Sequence, residues 1–146
     1  MARKKKAPAK KTASKKLRTK SPPCPMHEEW TEAQFFSFLR SALRSASNRW
    51  PPKYQCLANA TRPYKGPDKR RKKERHCAHC LKWFPTTQTQ ADHIIPAGTL
   101  RSWDDLVPFV MRLFVPIQGF QCLCTTCHNA KTQLERKQAK ENKNNE

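Results

Sequence analysis

The chain has 146 residues, enough for one domain with tails and a modest core. Its 30 lysines and arginines against 11 acids leave a formal charge of +19, and their clustering fits a phosphate-backbone binder better than a solubilising tail. Seven cysteines, an odd count with four in two CxxC pairs, argue against a disulfide framework and for a reduced, intracellular metalloprotein.

The first residues lack the apolar run of a secretory signal. Residues 1–20 carry ten basic side chains and no acid, and the segment 1–25 is expected to be a disordered basic tail. Cys24, between prolines, reads as a spare thiol. Residues 26–75 are expected to pack on the core as a helix and a basic linker. The helix is predicted from Thr31 to about Asn48, opened by the capping box Thr31-Glu32-Ala33-Gln34. Its apolar face is Phe35, Leu39, Ala42, Leu43 and Ala46, with Arg40 and Arg44 on another stripe. Trp50-Pro51-Pro52 stops it.

Pro51 to Asp68 reads as a loop anchored by Tyr54, Leu57 and Tyr64, with Cys56 a buried thiol. The run Lys69-Arg70-Arg71-Lys72-Lys73 comes next as a candidate nucleic-acid contact. Lys82 to Ile95 suggests a short β-hairpin. Ser102-Trp103-Asp104-Asp105 suggests a helix start, with Pro108 kinking or splitting that helix. Leu106 to Ile117 is the most apolar stretch, but Pro108, Arg112 and Pro116 interrupt it, so no membrane span is expected. Gly119 to Leu123 reads as a strand, and a last helix from about Thr126 runs into a frayed tail at 137–146.

Two groups carry the chemistry. Cys77-Ala78-His79-Cys80 and Cys124-Thr125-Thr126-Cys127 supply four soft ligands, suited to tetrahedral zinc at about 2.3 Å. The second pair enters a helix, the pattern of a treble clef, in which zinc replaces core that a small domain lacks. Cys122, two residues before Cys124, is the reserve ligand. Between the pairs lies Asp92-His93, and His128 comes directly after Cys127. A hard carboxylate and an imidazole suit a divalent ion, and the neighbouring histidine can act in proton transfer.

The string CxxC, Asp-His-Ile-x-Pro, Leu-Cys-x-x-Cys-His-x-x-Lys-Thr resembles the HNH (ββα-metal) endonucleases, and most of all the small HNH proteins of tailed bacteriophages. The resemblance covers about residues 76–134, within a nuclease core set at 76–136. It implies an α+β fold: a small zinc-stabilised treble-clef core with an N-terminal helix and basic tails. It implies that Asp92 and His128 ligate a catalytic Mg²⁺, Mn²⁺ or other divalent ion. His93 would be the general base, Lys131 would approach DNA, and the products would be 5′-phosphate and 3′-hydroxyl ends. The expected partner is double-stranded DNA, with a phage terminase or packaging proteins as further partners and the host bacterial cytoplasm as the setting. The chain departs from the pattern at Gly119, where the family usually has an asparagine bracing the loop that bears the base. Two other classes fit the residues: a treble-clef module that binds DNA or RNA without cutting it, and an assembly or packaging accessory.

Overall fold

A computed structural model gives the fold over residues 21–144; the basic segment 1–20 lies outside the described residues. In chain order the elements are β1 (Pro23–Cys24), β2 (His27–Thr31), α1 (Glu32–Ser47), α2 (Pro51–Asn59), β3 (Thr61–Pro63) and β4 (Lys73–His76). Then come β5 (Trp83–Pro85), β6 (Thr89–His93), α3 (Leu106–Leu113), β7 (Phe120–Cys124) and α4 (Thr125–Asn144), with 3-10 turns at Thr86–Gln88 and Ile117–Gly119. All strand pairs are antiparallel: β1 with β2, β3-β4-β5 as a small sheet, and β6 with β7 as a ribbon. Among the described residues no helix is long and apolar enough to cross a membrane.

The first helix starts where its capping box places it. Thr31 N donates to Gln34 Oε1 at 2.8 Å, and Gln34 N donates to Thr31 Oγ1 at 3.4 Å. Its buried line is rotated from the expected one. Phe36 is the fully buried side chain, with Phe35, Leu39 and Leu43 flanking it, and Ala42 is exposed. The helical period holds, with its centre shifted by one residue from Phe35 to Phe36. Ala97, Leu100, Phe109 and Leu113 complete this core, so α1 and α3 share it. A second cluster, Cys77, Leu123 and Cys124 with Phe84, lies under the cysteine pairs.

Five expectations need correction. The first concerns the tail assigned to residues 1–25, whose last part pairs as β1 with β2. The second is the loop at Pro51–Asp68, which instead contains α2 and β3. Pro51 and Pro52 sit in the first turn of α2, where their missing N–H groups would have had no helical partner anyway. Tyr54 is accordingly no anchor: it is 56 % exposed on α2. The third is the hairpin at 82–95. Its two strands belong to different sheets: β5 makes a local hairpin with β4, and β6 pairs with β7, the latter a long-range pairing that local propensity does not register. The fourth is α3, which begins at Leu106 rather than Ser102. The Asp105 carboxylate closes the preceding turn by accepting from Arg101 N and Ser102 N. Pro108 falls in the first helical turn and forces no kink. The fifth is the frayed end: α4 continues through 137–144, where Lys137, Gln138, Ala139, Lys140 and Glu141 are good helix formers.

Candidate functional site

Each cysteine pair is placed by an element end. Cys77 and Cys80 come after β4 in a tight turn, where Leu81 N donates to Cys77 O at 3.0 Å and Cys77 N to Lys82 O at 2.9 Å. Leu81 adopts φ 58° to close it, a left-handed conformation that costs a side-chain-bearing residue about 1–2 kcal/mol. Cys124 ends β7 and Cys127 lies in the first turn of α4. Ala78 N donates to Cys122 O at 2.8 Å and ties the turn to β7.

The four sulfurs of Cys77, Cys80, Cys124 and Cys127 all lie within 4.8 Å of one another, and Cys80 Sγ is 4.0 Å from Cys124 Sγ. A zinc tetrahedron with bonds of about 2.3 Å has edges of about 3.8 Å, so the set closes on an ion with little adjustment. Burial tends to raise the Cys77 pKa, but the backbone N–H groups of Cys80, Cys124 and His79 outweigh it and bring it down to about 6. The Cys124 sulfur, then burial, push Cys127 up to about 12. Four crowded thiols thus resist full ionisation until a cation stands among them. Cys122 is buried outside this group, its thiol pushed up to about 11 chiefly by burial. Cys56 is half-buried, with burial also raising its pKa, and Cys24 is buried. The four cysteines fit a structural metal such as zinc.

The ribbon positions the second group. Asp92 and His93 are the last two residues of β6, paired with Gln121 and Phe120 of β7. Asp92 meets its cross-strand neighbour Gln121, whose Nε2 donates to Oδ2 at 3.2 Å. Lys131 Nζ, from α4, reaches the same Oδ2 at 2.8 Å. The other oxygen, Oδ1, faces His128 Nε2 at 3.6 Å. Two donors each about 2.1 Å from a shared cation can stand that far apart. His128 Nδ1 is buried without a hydrogen-bond partner. Asp92 and His128 therefore offer two ligands, and water or substrate oxygens would have to complete the shell.

The His93 ring lies 4.6 Å from the Phe120 ring, with Nε2 3.0 Å from Leu113 O. A carbonyl only accepts, so Nε2 carries the proton of the neutral ring and Nδ1 keeps its lone pair. Lys131 Nζ also donates to His93 O at 2.7 Å and pairs with Glu135. Burial lowers the Lys131 pKa, but Asp92 and Glu135 outweigh it and hold it above the ordinary value. Lys131 thus braces the centre instead of extending into solvent. Sequence reading missed Glu135, although its spacing of four from Lys131 is the helix ion-pair signal. It also missed Gln121, whose partnership with Asp92 depends on cross-strand register.

Gly119 closes the 3-10 turn, and its carbonyl accepts from Ile94 N at 2.9 Å. A Cβ at this position would come within 2.5 Å of Val115 Cγ2, so an asparagine does not fit without movement. The loop after His93 is held instead by Ile94 N, by Lys131 and by the His93 ring contacts.

The basic run divides. Lys69, Arg70, Lys72 and Lys73 are exposed. Arg71 turns inward, 2.8 Å from Glu74 Oε2 and 4.3 Å from the Tyr64 ring centre. Buried Glu74 also holds Arg62 at 2.7 Å, and the Arg62 guanidinium lies 3.6 Å from the Trp83 ring centre. Comparison of the chain with protein-family models, curated proteins and solved structures finds no match.

Proposed function

We propose that the protein is a metal-dependent DNA endonuclease of the HNH type, built on a treble-clef zinc core. It would hydrolyse double-stranded DNA to 5′-phosphate and 3′-hydroxyl ends. The observation that carries this reading is the approach of Asp92 Oδ1 and His128 Nε2 to 3.6 Å, from a ribbon and a helix that also carry zinc-site cysteines. Mg²⁺ or Mn²⁺ held there would supply Lewis-acid stabilisation of charge developing on the phosphate and leaving oxygens.

The chain's own residues have separate parts. Gln121 and Lys131 occupy Asp92 Oδ2 and leave Oδ1 to the ion. The Leu113 carbonyl fixes the His93 tautomer, so Nδ1 is the atom that accepts a proton from the attacking water. Phe120 limits the tilt of that ring. The exposed cations at 69, 70, 72 and 73 would hold the DNA backbone.

A second reading, a zinc module that grips DNA or RNA without cutting it, is favoured by one observation. The Lys131 ammonium already neutralises Asp92, which weakens the pull of that carboxylate on a further cation. Supercoiled plasmid incubated with zinc-loaded protein, with and without added Mn²⁺, separates the two. Nicking that depends on Mn²⁺ is expected; gel retardation without nicking selects the binding module.

A further inference from the structure

A cleft of about 490 Å³ opens between α2 and the β3–β4 pair, and neither Asp92, His93 nor His128 lines it. Its apolar part comes from Tyr54, Leu57 and Pro63, and its charged part from Lys72, Lys73 and Arg75. A second cleft of about 560 Å³ adjoins it, sharing Lys72, Lys73, Arg75 and Thr86 and adding Arg70. Through these shared residues the two clefts join as one groove, with its apolar side chains at the Tyr54 and Leu57 end.

One acid, Asp68, also lines the second cleft, and the cations outnumber it. Arg62 and Arg71 are committed to Glu74. Lys72 and Lys73 are exposed and have no ion-pair partner among the described residues. Arg75 is half-buried and held only by neutral oxygens: Thr61 Oγ1 at 3.3 Å, Thr86 O at 3.2 Å and Thr89 Oγ1 at 3.5 Å. A guanidinium fixed in this way keeps its full charge for an anion. The Tyr54 hydroxyl donates to Asn48 O, which anchors the ring while the side chain remains 56 % exposed.

We infer that this groove binds an unpaired nucleotide of a single-stranded DNA segment, with its phosphate on Lys72, Lys73 and Arg75 and its base against Tyr54 and Leu57. A duplex keeps its base faces stacked along its length and presents backbone and groove edges there, which leave the apolar side chains without a flat partner. A splayed nucleotide brings a flat apolar face and an anion together, the pairing that single-strand binders use. The inference rests on the nucleic-acid part of the proposed function and not on hydrolysis.

The test measures binding of zinc-loaded full-length protein, without added Mg²⁺ or Mn²⁺, to a blunt duplex and to the same duplex with a short single-stranded tail. The tailed duplex is expected to bind more tightly. Tyr54→Ala should lose about tenfold on the tailed duplex, the scale of one base–aromatic stack, and leave the blunt duplex unchanged. Tyr54→Phe, which keeps the ring, should retain the preference, and thermal melts confirm that both variants fold. The double variant Lys72→Ala, Lys73→Ala should make the salt dependence of tailed-duplex binding shallower by about one to two counterions. Equal binding of both duplexes by the parent, or an equal loss on both in Tyr54→Ala, overturns the inference. If plasmid nicking fails while the tail preference persists, only the hydrolytic reading falls. Normal nicking without tail preference removes only the groove, and no binding to either duplex removes both.

Discussion

Asp92 shows how the two oxygens of one carboxylate can serve three neighbours without conflict. Its Oδ2 is occupied by Gln121 and Lys131, and its Oδ1 is left facing His128. His93 is sorted in the same way, since the Leu113 carbonyl takes one ring nitrogen and leaves the other with its lone pair. Elsewhere a single residue carries strain. Leu81 holds φ 58° in the cysteine turn with its side chain 67 % exposed, so it gives up little packing if truncated. The left-handed cost of about 1–2 kcal/mol exceeds the extra unfolded-chain freedom of glycine, about 0.4–1 kcal/mol. Leu81→Gly is therefore expected to stabilise the zinc-loaded protein by about 0.5–1 kcal/mol in denaturant unfolding. A fall in stability would mean that Leu81 contributes contacts outweighing its strain.

At the scale of elements, the ribbon and α4 bring the two candidate sites together. β7 ends at Cys124 and α4 starts at Thr125, so the turn that supplies cysteines also aims His128 and Lys131 at Asp92. The local part of this was legible: the CxxC spacings, the α1 capping box and the strand before Cys124 are all set by near neighbours. The rest depends on distant partners. The start of α2 was hidden because Pro51-Pro52 ends one helix and begins another, and β5 and β6 pair with strands far from each other in sequence. The glycine at 119 was legible only as a departure; its reason, the Val115 side chain, appears once the 3-10 turn is formed. Gly119→Asn is expected to cost about 1–3 kcal/mol through overpacking and to bring no gain in nicking. Parent-like stability with faster nicking would contradict this account of the glycine.

For the whole molecule, a metal held by the four cysteines would stand in for core. The described residues build two small buried clusters, and one of them is largely the cysteines themselves. Zinc binding free energy is then folding free energy. Chelation, or Cys77→Ser or Cys127→Ser, is expected to abolish cooperative thermal unfolding; well-folded parent protein without bound zinc would contradict this. On the proposed function, the fold rests on the cysteines, whereas cleavage rests on a separate centre whose residues differ in role. Its most direct test is the nicking rate of His93→Ala, Asp92→Ala and His128→Ala titrated with Mn²⁺, each variant checked by thermal melt and zinc content. His93→Ala should nick about 10²–10⁴-fold more slowly at every Mn²⁺ concentration. Asp92→Ala and His128→Ala should be partly rescued as Mn²⁺ rises, and all three should keep zinc and fold. Full cleavage by His93→Ala, or loss of folding in all three, would contradict the account.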